Sequence, residues 1–328
     1  MGSDSNERYW LGFDLGGTKM MATVFDAGFK ILGSHRTKTK GHEGAKEVLD
    51  RIIETIKEAV DDAHIKTQHL GAIGVGCPGP LDLDRGIILE APNLGWKNVA
   101  LKDTLEKAFG CPTVIANDVD SGTYGEYRFG AGQKARCVVG VFPGTGIGGA
   151  CIYEGRIFRG KTSSCMEIGH IQVQPEGRVC GCGQRCCLET VASRLAISAE
   201  AASAAYRGEA PHLLEMAGTD LSSIKSGVLA KAVAADAVVE RIVRNAAQHL
   251  GGAIAGVVNL LAPDVVVLGG GLVEAMSDLF LNEVRKTVDN RAMKSFTKSL
   301  KIVAAQLGDN ATVMGAAALA AEAGNGKK

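Results

Sequence analysis

Apolar residues fall in short runs broken by glycine from the start of the chain. The run "YWLGFD", Tyr9 to Asp14, ends at Gly16 and Gly17, and "MMATVFD" follows before Gly28, which predicts a strand, a tight glycine turn and a return strand. "FKILGSHRT" predicts a third strand, Glu43 to His64 an amphipathic helix, "LGAIGVG" a strand, Leu101 to Phe109 a helix and "PTVIAND" another strand. The opening pattern then recurs. "RCVVGVFPGTGIGGACIYEG" reads as a strand to Phe142, a Gly-Thr-Gly turn and a return strand to Tyr153. Helices follow around Leu188 to Tyr206 and from near Asp236, then the strand "DVVVLGG", a helix near Met276 to Asn290, the strand "LKIVAAQL" and the small-residue helix "TVMGAAALAAEA". A hairpin present twice, each time followed by strand and helix signals, predicts a duplicated α/β fold with two lobes facing each other across a cleft. The repeat places the lobe boundary near residues 118 to 122, and the tail "GNGKK" is expected to fray.

Composition narrows the function classes. With 328 residues and 46% apolar content, the chain can fill two cores. Lysine plus arginine balances aspartate plus glutamate at 36 each, so no overall field favours nucleic acid or anionic membrane. The start "MGSDSNERYW" lacks a secretion pattern, and the most apolar window, Leu250 to Gly270, is interrupted by Pro263 and Asp264; a cytoplasmic location is the expectation. In a reducing compartment the nine cysteines do not form a disulfide framework. Cys77, Cys111, Cys137, Cys151 and Cys165 stand singly and read as small core residues.

Glycine turns leave backbone N–H groups uncovered, and two of them could hold two ends of one polyphosphate. In "DLGGTK", Asp14 offers a carboxylate to Mg²⁺, Gly16 and Gly17 form the turn, and Thr18 and Lys19 offer a hydroxyl and an ammonium to phosphate. In "PGTGIGG" the donors would be the amides around Gly144, Thr145 and Gly146. Either loop alone also reads as a plain hairpin turn; matching repeat positions favour phosphate. "LGGG", with Gly269, Gly270 and Gly271, could let a nucleotide lie on bare backbone. "ANDVDSG" ends a strand at Asn117 and Asp118, where a carboxylate could accept a hydroxyl proton in phosphoryl transfer, or where the pair could cap a helix.

"GHIQVQPEGRVCGCGQRCCLE" supplies one imidazole and a cluster of thiols. His170, Cys180, Cys182 and Cys187 have the composition of a tetrahedral structural zinc site; Cys186 could replace Cys187, and a redox pair or unliganded thiols are the other readings. Glu167 and Glu189 flank the cluster, so the metal would organise polar side chains without Lewis-acid chemistry.

Together "DLGGTK", "GCPGP", "AND", "GTGIGG", "EIGH", "CGCGQRCCLE", "LGGG" and "GDNATVMGAA" resemble the ROK family of sugar kinases and sugar-responsive repressors, over nearly the whole chain. The resemblance implies the duplicated actin/hexokinase-like (ribonuclease H-like) fold. It returns the C-terminal helix to the first lobe, giving a small lobe of residues 1–120 plus 308–328 and a larger lobe of 121–307 carrying the zinc loop. It implies ATP between the glycine hairpins, Mg²⁺ near Asp14, and Asp118 as base on a sugar hydroxyl. Sugar hydroxyls would meet Asn117, Asp118, Glu167, His170 and Glu189, with the loop at Gly79 closing over them. The implied reaction is ATP-dependent phosphorylation of a hexose at its 6-hydroxyl. "PNLGW" and the full zinc signature favour glucose; fructose, mannose, N-acetylmannosamine or N-acetylglucosamine, or a non-catalytic sugar-sensing regulator, are the alternatives. A repressor of this family would carry an N-terminal DNA reader, for which the early first hairpin is expected to leave no room. Dimers or tetramers are common in the family. Two positions depart from its pattern: Cys186 stands where glycine is usual, and positive φ there would cost roughly 1 kcal/mol or more, while Met166 replaces a glycine ahead of "EIGH" and bears on the sugar-side loop and substrate preference.

Overall fold

The computed structural model describes residues 8–161 and 164–325. In chain order the elements are β1 (Tyr9–Leu15), β2 (Lys19–Phe25), β3 (Ile31–Lys38), α1 (Ala45–Asp62), β4 (Leu70–Cys77), β5 (Leu81–Asp82), β6 (Ile87–Ala91), β7 (Trp96–Val99), α2 (Leu101–Phe109), β8 (Thr113–Asn117) and α3 (Asp118–Phe129). There follow β9 (Cys137–Pro143), β10 (Ile147–Tyr153), β11 (Arg156–Ile157), α4 (Glu189–Ala192), α5 (Arg194–Tyr206), α6 (Pro211–Ala217), α7 (Ser226–Ala235) and α8 (Ala237–Leu261). The chain closes with β12 (Val265–Leu268), α9 (Gly271–Ala275), α10 (Ser277–Arg291), α11 (Lys294–Thr297), β13 (Lys301–Ala304) and α12 (Ala311–Asn325).

Two compact units result. The first takes residues up to Gln133, Ile157–Cys165 and the chain from Asp309 onward; the second takes Lys134–Arg156 and Met166–Gly308. Their sheets share one plan. In the first the order is β3-β2-β1-β4-β8, with β3, β2 and β1 antiparallel and β1, β4 and β8 parallel. In the second it is β11-β10-β9-β12-β13, again with an antiparallel hairpin leading into parallel strands. The duplication expected from the two hairpins is therefore present.

Period-two patterning builds the first unit. Leu11, Phe13 and Leu15 of β1 enter the core with Ile52 and Ile56 of α1, whereas Trp10 packs on the opposite face with Val313, Ala317 and Ala320 of α12. On that face a Cβ at Gly12 would lie 1.9 Å from the Val313 carbonyl oxygen, and one at Gly74 would lie 1.8 Å from that of Ala316. Bare glycine thus lets α12 rest its backbone on the sheet. The same device joins α12 to α3, where a Cβ on Gly315 would be 1.8 Å from the Ser121 carbonyl oxygen. Because α3 is fastened to α12 in this way, it stays with the first unit, and the division falls after Gln133 instead of at residue 120.

The second unit has its own core, in which α8 supplies Val243, Leu250, Ile254 and Val258 beneath the β9–β12 strands. Its expected helix from Leu188 to Tyr206 is broken: Ser193 is extended at φ −72°, ψ 159°, and its hydroxyl accepts the Ala196 N–H at 3.2 Å as the cap of α5. Of the single cysteines, Cys77, Cys111, Cys137 and Cys151 are buried as expected and Cys165 is half-buried. Among the described residues no helix is long and apolar enough to cross a membrane. The tail expected to fray lies partly outside the described residues; Gly324 and Asn325 continue α12.

Candidate active site and metal centre

The carboxyl ends of three neighbouring parallel strands gather the acidic chemistry of the first unit. Asp14 on β1 lies opposite Gly76 of β4, and Cys77 at the end of β4 lies opposite Asn117 at the end of β8. Parallel α/β sheets present their ligand groups at this edge, because the side chains there project past the last ladder bond. Burial, reinforced by the Asp118 and Asp309 carboxylates, pushes Asp14 up to about 7 even with Lys19 and Arg36 nearby. Burial together with Asp118 and Asp14 also drives the Cys77 thiol well above its ordinary value. Such a concentration of negative charge fits a hard cation held by oxygen ligands.

Asn117 does cap a helix. Its Oδ1 accepts the Val119 N–H at 2.9 Å and the Asp120 N–H at 3.2 Å, while Asp118 Oδ1 accepts the Val119 N–H at 3.0 Å. Of the two readings of "AND", the structure shows the cap: Asn117 opens α3, Asp118 stands in its first turn, and the Asn117 amide keeps its NH₂ donors.

The first glycine turn, Gly16 to Thr18, is exposed at its tip. Thr39 braces it, its hydroxyl donating to the Gly16 carbonyl at 2.6 Å and its N–H to that of Thr18 at 2.9 Å. Asn93, in the "PNLGW" stretch, packs against the turn, since a Cβ on Gly17 would sit 3.2 Å from the Asn93 Cβ. Lys19 lies 3.7 Å from Asp309, which also pairs with Arg36 at 2.8 Å. Arg36 and Asp309 carried no assignment in the sequence, since one sits in an alternating strand and the other far down the chain. Gly79 is held in place by packing: its φ is +88°, and a Cβ would come within 1.9 Å of the Glu90 carbonyl oxygen.

In the second unit the β9–β10 turn consists of Gly144, Thr145 and Gly146. The Gly144 N–H donates to the Gly146 carbonyl at 2.8 Å, so that amide, expected to face phosphate, is engaged within the turn. Gly269 lies under the Phe142 ring and Gly270, at φ +79°, beside the Pro143 carbonyl, which puts the "LGGG" backbone next to this turn. Gly271 lines a cavity of about 780 Å³ with Arg194, Lys225, Ser226 and Glu274. None of those four side chains was legible as a site residue, because they come from separate helices and loops.

The cysteine stretch converges as its spacing predicted. One ligand atom from each of His170, Cys180, Cys182 and Cys187 lies within 4.8 Å of the others. Cys180 Sγ is 3.6 Å from His170 Nδ1, and Cys182 Sγ is 3.7 Å from Cys187 Sγ. A tetrahedral zinc ion with bonds of about 2.3 Å to sulfur and about 2.0–2.1 Å to nitrogen would have edges of about 3.6 and 3.8 Å, so the four residues fit it. Cys186 is outside the group: it is buried with φ +67°, as Met166 is at φ +59°, so both departures from glycine occupy left-handed backbone. Glu167 precedes the short 3₁₀ turn Ile168–His170 and is exposed, and Glu189 opens α4 behind Cys187.

Known proteins resemble this chain along nearly its full length. The model of the ROK family matches residues 10–323. A glucokinase of Halalkalibacterium halodurans is 32% identical over 94% of this chain and 94% of its own. The xylose repressor of Caldicellulosiruptor bescii is 26% identical over 94% of this chain and 77% of its own. Among solved structures, a ROK family glucokinase from Streptomyces griseus in complex with glucose and AMPPNP superposes with a TM-score of 0.83 at 32% identity, covering 96% of this chain and 99% of that one.

Proposed function

This chain belongs to the ROK family, and from that membership we propose that it transfers the γ-phosphoryl group of ATP to the 6-hydroxyl of a hexose, with glucose as the preferred acceptor. The observation that carries the reading is the placement of Asp118 at the head of α3, one strand away from Cys77 and beside the half-buried Asp14. A proton acceptor and a cation-seeking carboxylate at one sheet edge are what phosphoryl transfer to an alcohol needs. Glucokinases similar along almost the full length support the choice of sugar.

The chain's own groups divide the work. Asp118 accepts the proton of the hexose 6-hydroxyl as that oxygen bonds to the γ-phosphorus and the bond to the ADP oxygen breaks. Asn117 donates from its amide to a neighbouring sugar hydroxyl. Thr18, Lys19 and the Thr145 and Gly146 amides hold phosphate oxygens, and the cavity at Gly271 takes the base and ribose. Magnesium bound near Asp14 would neutralise charge on the phosphates. Zinc held by His170, Cys180, Cys182 and Cys187 would fix the loop, leaving the His170 Nε2–H to donate to a sugar oxygen while the Glu167 and Glu189 carboxylates accept from sugar hydroxyls. All of these residues lie in one chain.

The sugar-sensing regulator is the second reading, favoured by the similarity to the repressor. One experiment separates the two. A coupled assay with ATP, Mg²⁺ and a panel of glucose, mannose, fructose, N-acetylmannosamine and N-acetylglucosamine should show turnover, highest for glucose. Asp118→Asn should lower kcat by roughly 10²–10⁴-fold while the directly measured hexose Kd stays within about threefold. Hexose binding without turnover of any sugar would favour the regulator.

A further inference from the structure

Glu189 stands between the thiol cluster and the second glycine turn and touches both. Its Oε2 accepts the Ile147 N–H at 2.9 Å, and its Oε1 lies 3.8 Å from Cys180 Sγ. Oε2 also occupies the space a side chain would take at Gly146, where a Cβ would sit 2.4 Å from it. Two further ties come from the segment behind it. The Arg194 N–H donates to the Gly144 carbonyl at 2.8 Å, and the Arg194 guanidinium donates to the Thr145 hydroxyl at 3.0 Å. From the other side, Gly169, next to His170, packs so closely under the turn that a Cβ there would be 2.2 Å from the Ile147 carbonyl oxygen.

Every residue of the Gly-Thr-Gly turn is thus fixed by the chain that carries the cysteine and histidine ligands. A three-residue turn at a strand end has few restraints of its own beyond the Gly144 to Gly146 bond. A carboxylate accepting a backbone N–H makes a charge-assisted bond, stronger than a neutral one, and sets the direction in which the turn presents its remaining amides.

We propose that Glu189 is a positioning residue for the nucleotide: through Ile147 N–H it holds the Gly144–Gly146 turn in its phosphate-binding shape, so that metal occupancy at His170, Cys180, Cys182 and Cys187 sets the affinity for ATP as well as the affinity for sugar. This rests on the reading of that turn as a phosphate holder. Glu189 has a role here distinct from contacting sugar, and it acts in sugar-free protein.

The test measures binding of AMPPNP with Mg²⁺ by calorimetry, without hexose, to zinc-loaded wild type, Glu189→Gln and Glu189→Ala, and to wild type stripped of zinc with a chelator. Glu189→Gln keeps an oxygen for Ile147 N–H and should bind nucleotide within about threefold of wild type. Glu189→Ala and the stripped wild type should each lose roughly tenfold or more, the scale of one charge-assisted hydrogen bond. Zinc content, measured by colorimetric release, should remain stoichiometric in both variants. Hydrogen exchange at the Ile147 amide supplies a readout independent of any ligand: protection should fall in Glu189→Ala and after stripping, and persist in Glu189→Gln. Wild-type nucleotide affinity and wild-type protection in both Glu189→Ala and the stripped protein would overturn the proposal. Absence of nucleotide binding by wild type would overturn the kinase reading, while the exchange data would still decide whether Glu189 holds the turn.

Discussion

Single side chains account for the two departures from the family's glycine pattern. Cys186 and Met166 both hold positive φ, a region that costs an ordinary L-residue roughly 1 kcal/mol relative to glycine. Cys186 offsets this by burying its side chain next to Gly177, with its sulfur 3.5 Å from where a Cβ on that glycine would be. Cys186→Ala should therefore lose the sulfur contact and keep the strain, whereas Cys186→Gly loses the contact and the strain together. Thermal melts of zinc-loaded protein should place Cys186→Gly about 1 kcal/mol above Cys186→Ala; equal stability would show that the left-handed position carries no cost. At this scale the sequence was most informative where spacing is itself the chemistry, as in the four metal-ligand candidates. It was least informative for groups joined only by folding. The Lys19–Asp309–Arg36 cluster and the Arg194–Thr145 bond connect residues whose positions in the chain give no hint of contact.

Among the elements, those with a clean period were legible and those without one were not. β1, β4, α2 and α8 stand at or within a residue or two of the predicted places, because alternation or 3.6-residue spacing runs their whole length. The strands β5 to β7 were missed: the first has only two residues, and the others expose Glu90 and Lys97 in a small separate sheet. α6 and α7 were missed as well, being short, and α7 is a run of alanine and valine with little polar contrast. The final helix carries a consequence for the reaction, since it supports α3 from behind. Gly315→Ala would drive a methyl group into the Ser121 carbonyl and push α12 away from the helix that begins at Asp118. The expected result is a loss of at least about 1–3 kcal/mol in urea unfolding, as for overpacking of a closely packed site, together with a lower kcat. A variant with unchanged stability and kcat would show that α3 does not depend on this contact.

At the level of the whole molecule, two units with separate cores would respond differently to the loss of a metal held at His170, Cys180, Cys182 and Cys187. Only the second contains the four candidate ligands, and the loop that holds them has little regular structure, so its order depends on the bonds it makes. Chelation should lower the melting transition of the second unit by several degrees and leave that of the first in place, splitting a scanning-calorimetry peak in two; a uniform shift of one peak would contradict this. The shared sheet order also throws an asymmetry into relief. Where β1, β4 and β8 carry Asp14, Cys77 and Asn117 in their last two residues, their counterparts β9, β12 and β13 end in Pro143, Leu268 and Ala304. The first unit gathers carboxylates at this edge, where Asp118 and Asp309 add to burial in raising Asp14. The second unit is neutral at the same edge, so the need for a counter-ion belongs to one half of a repeated plan and is missing from its twin.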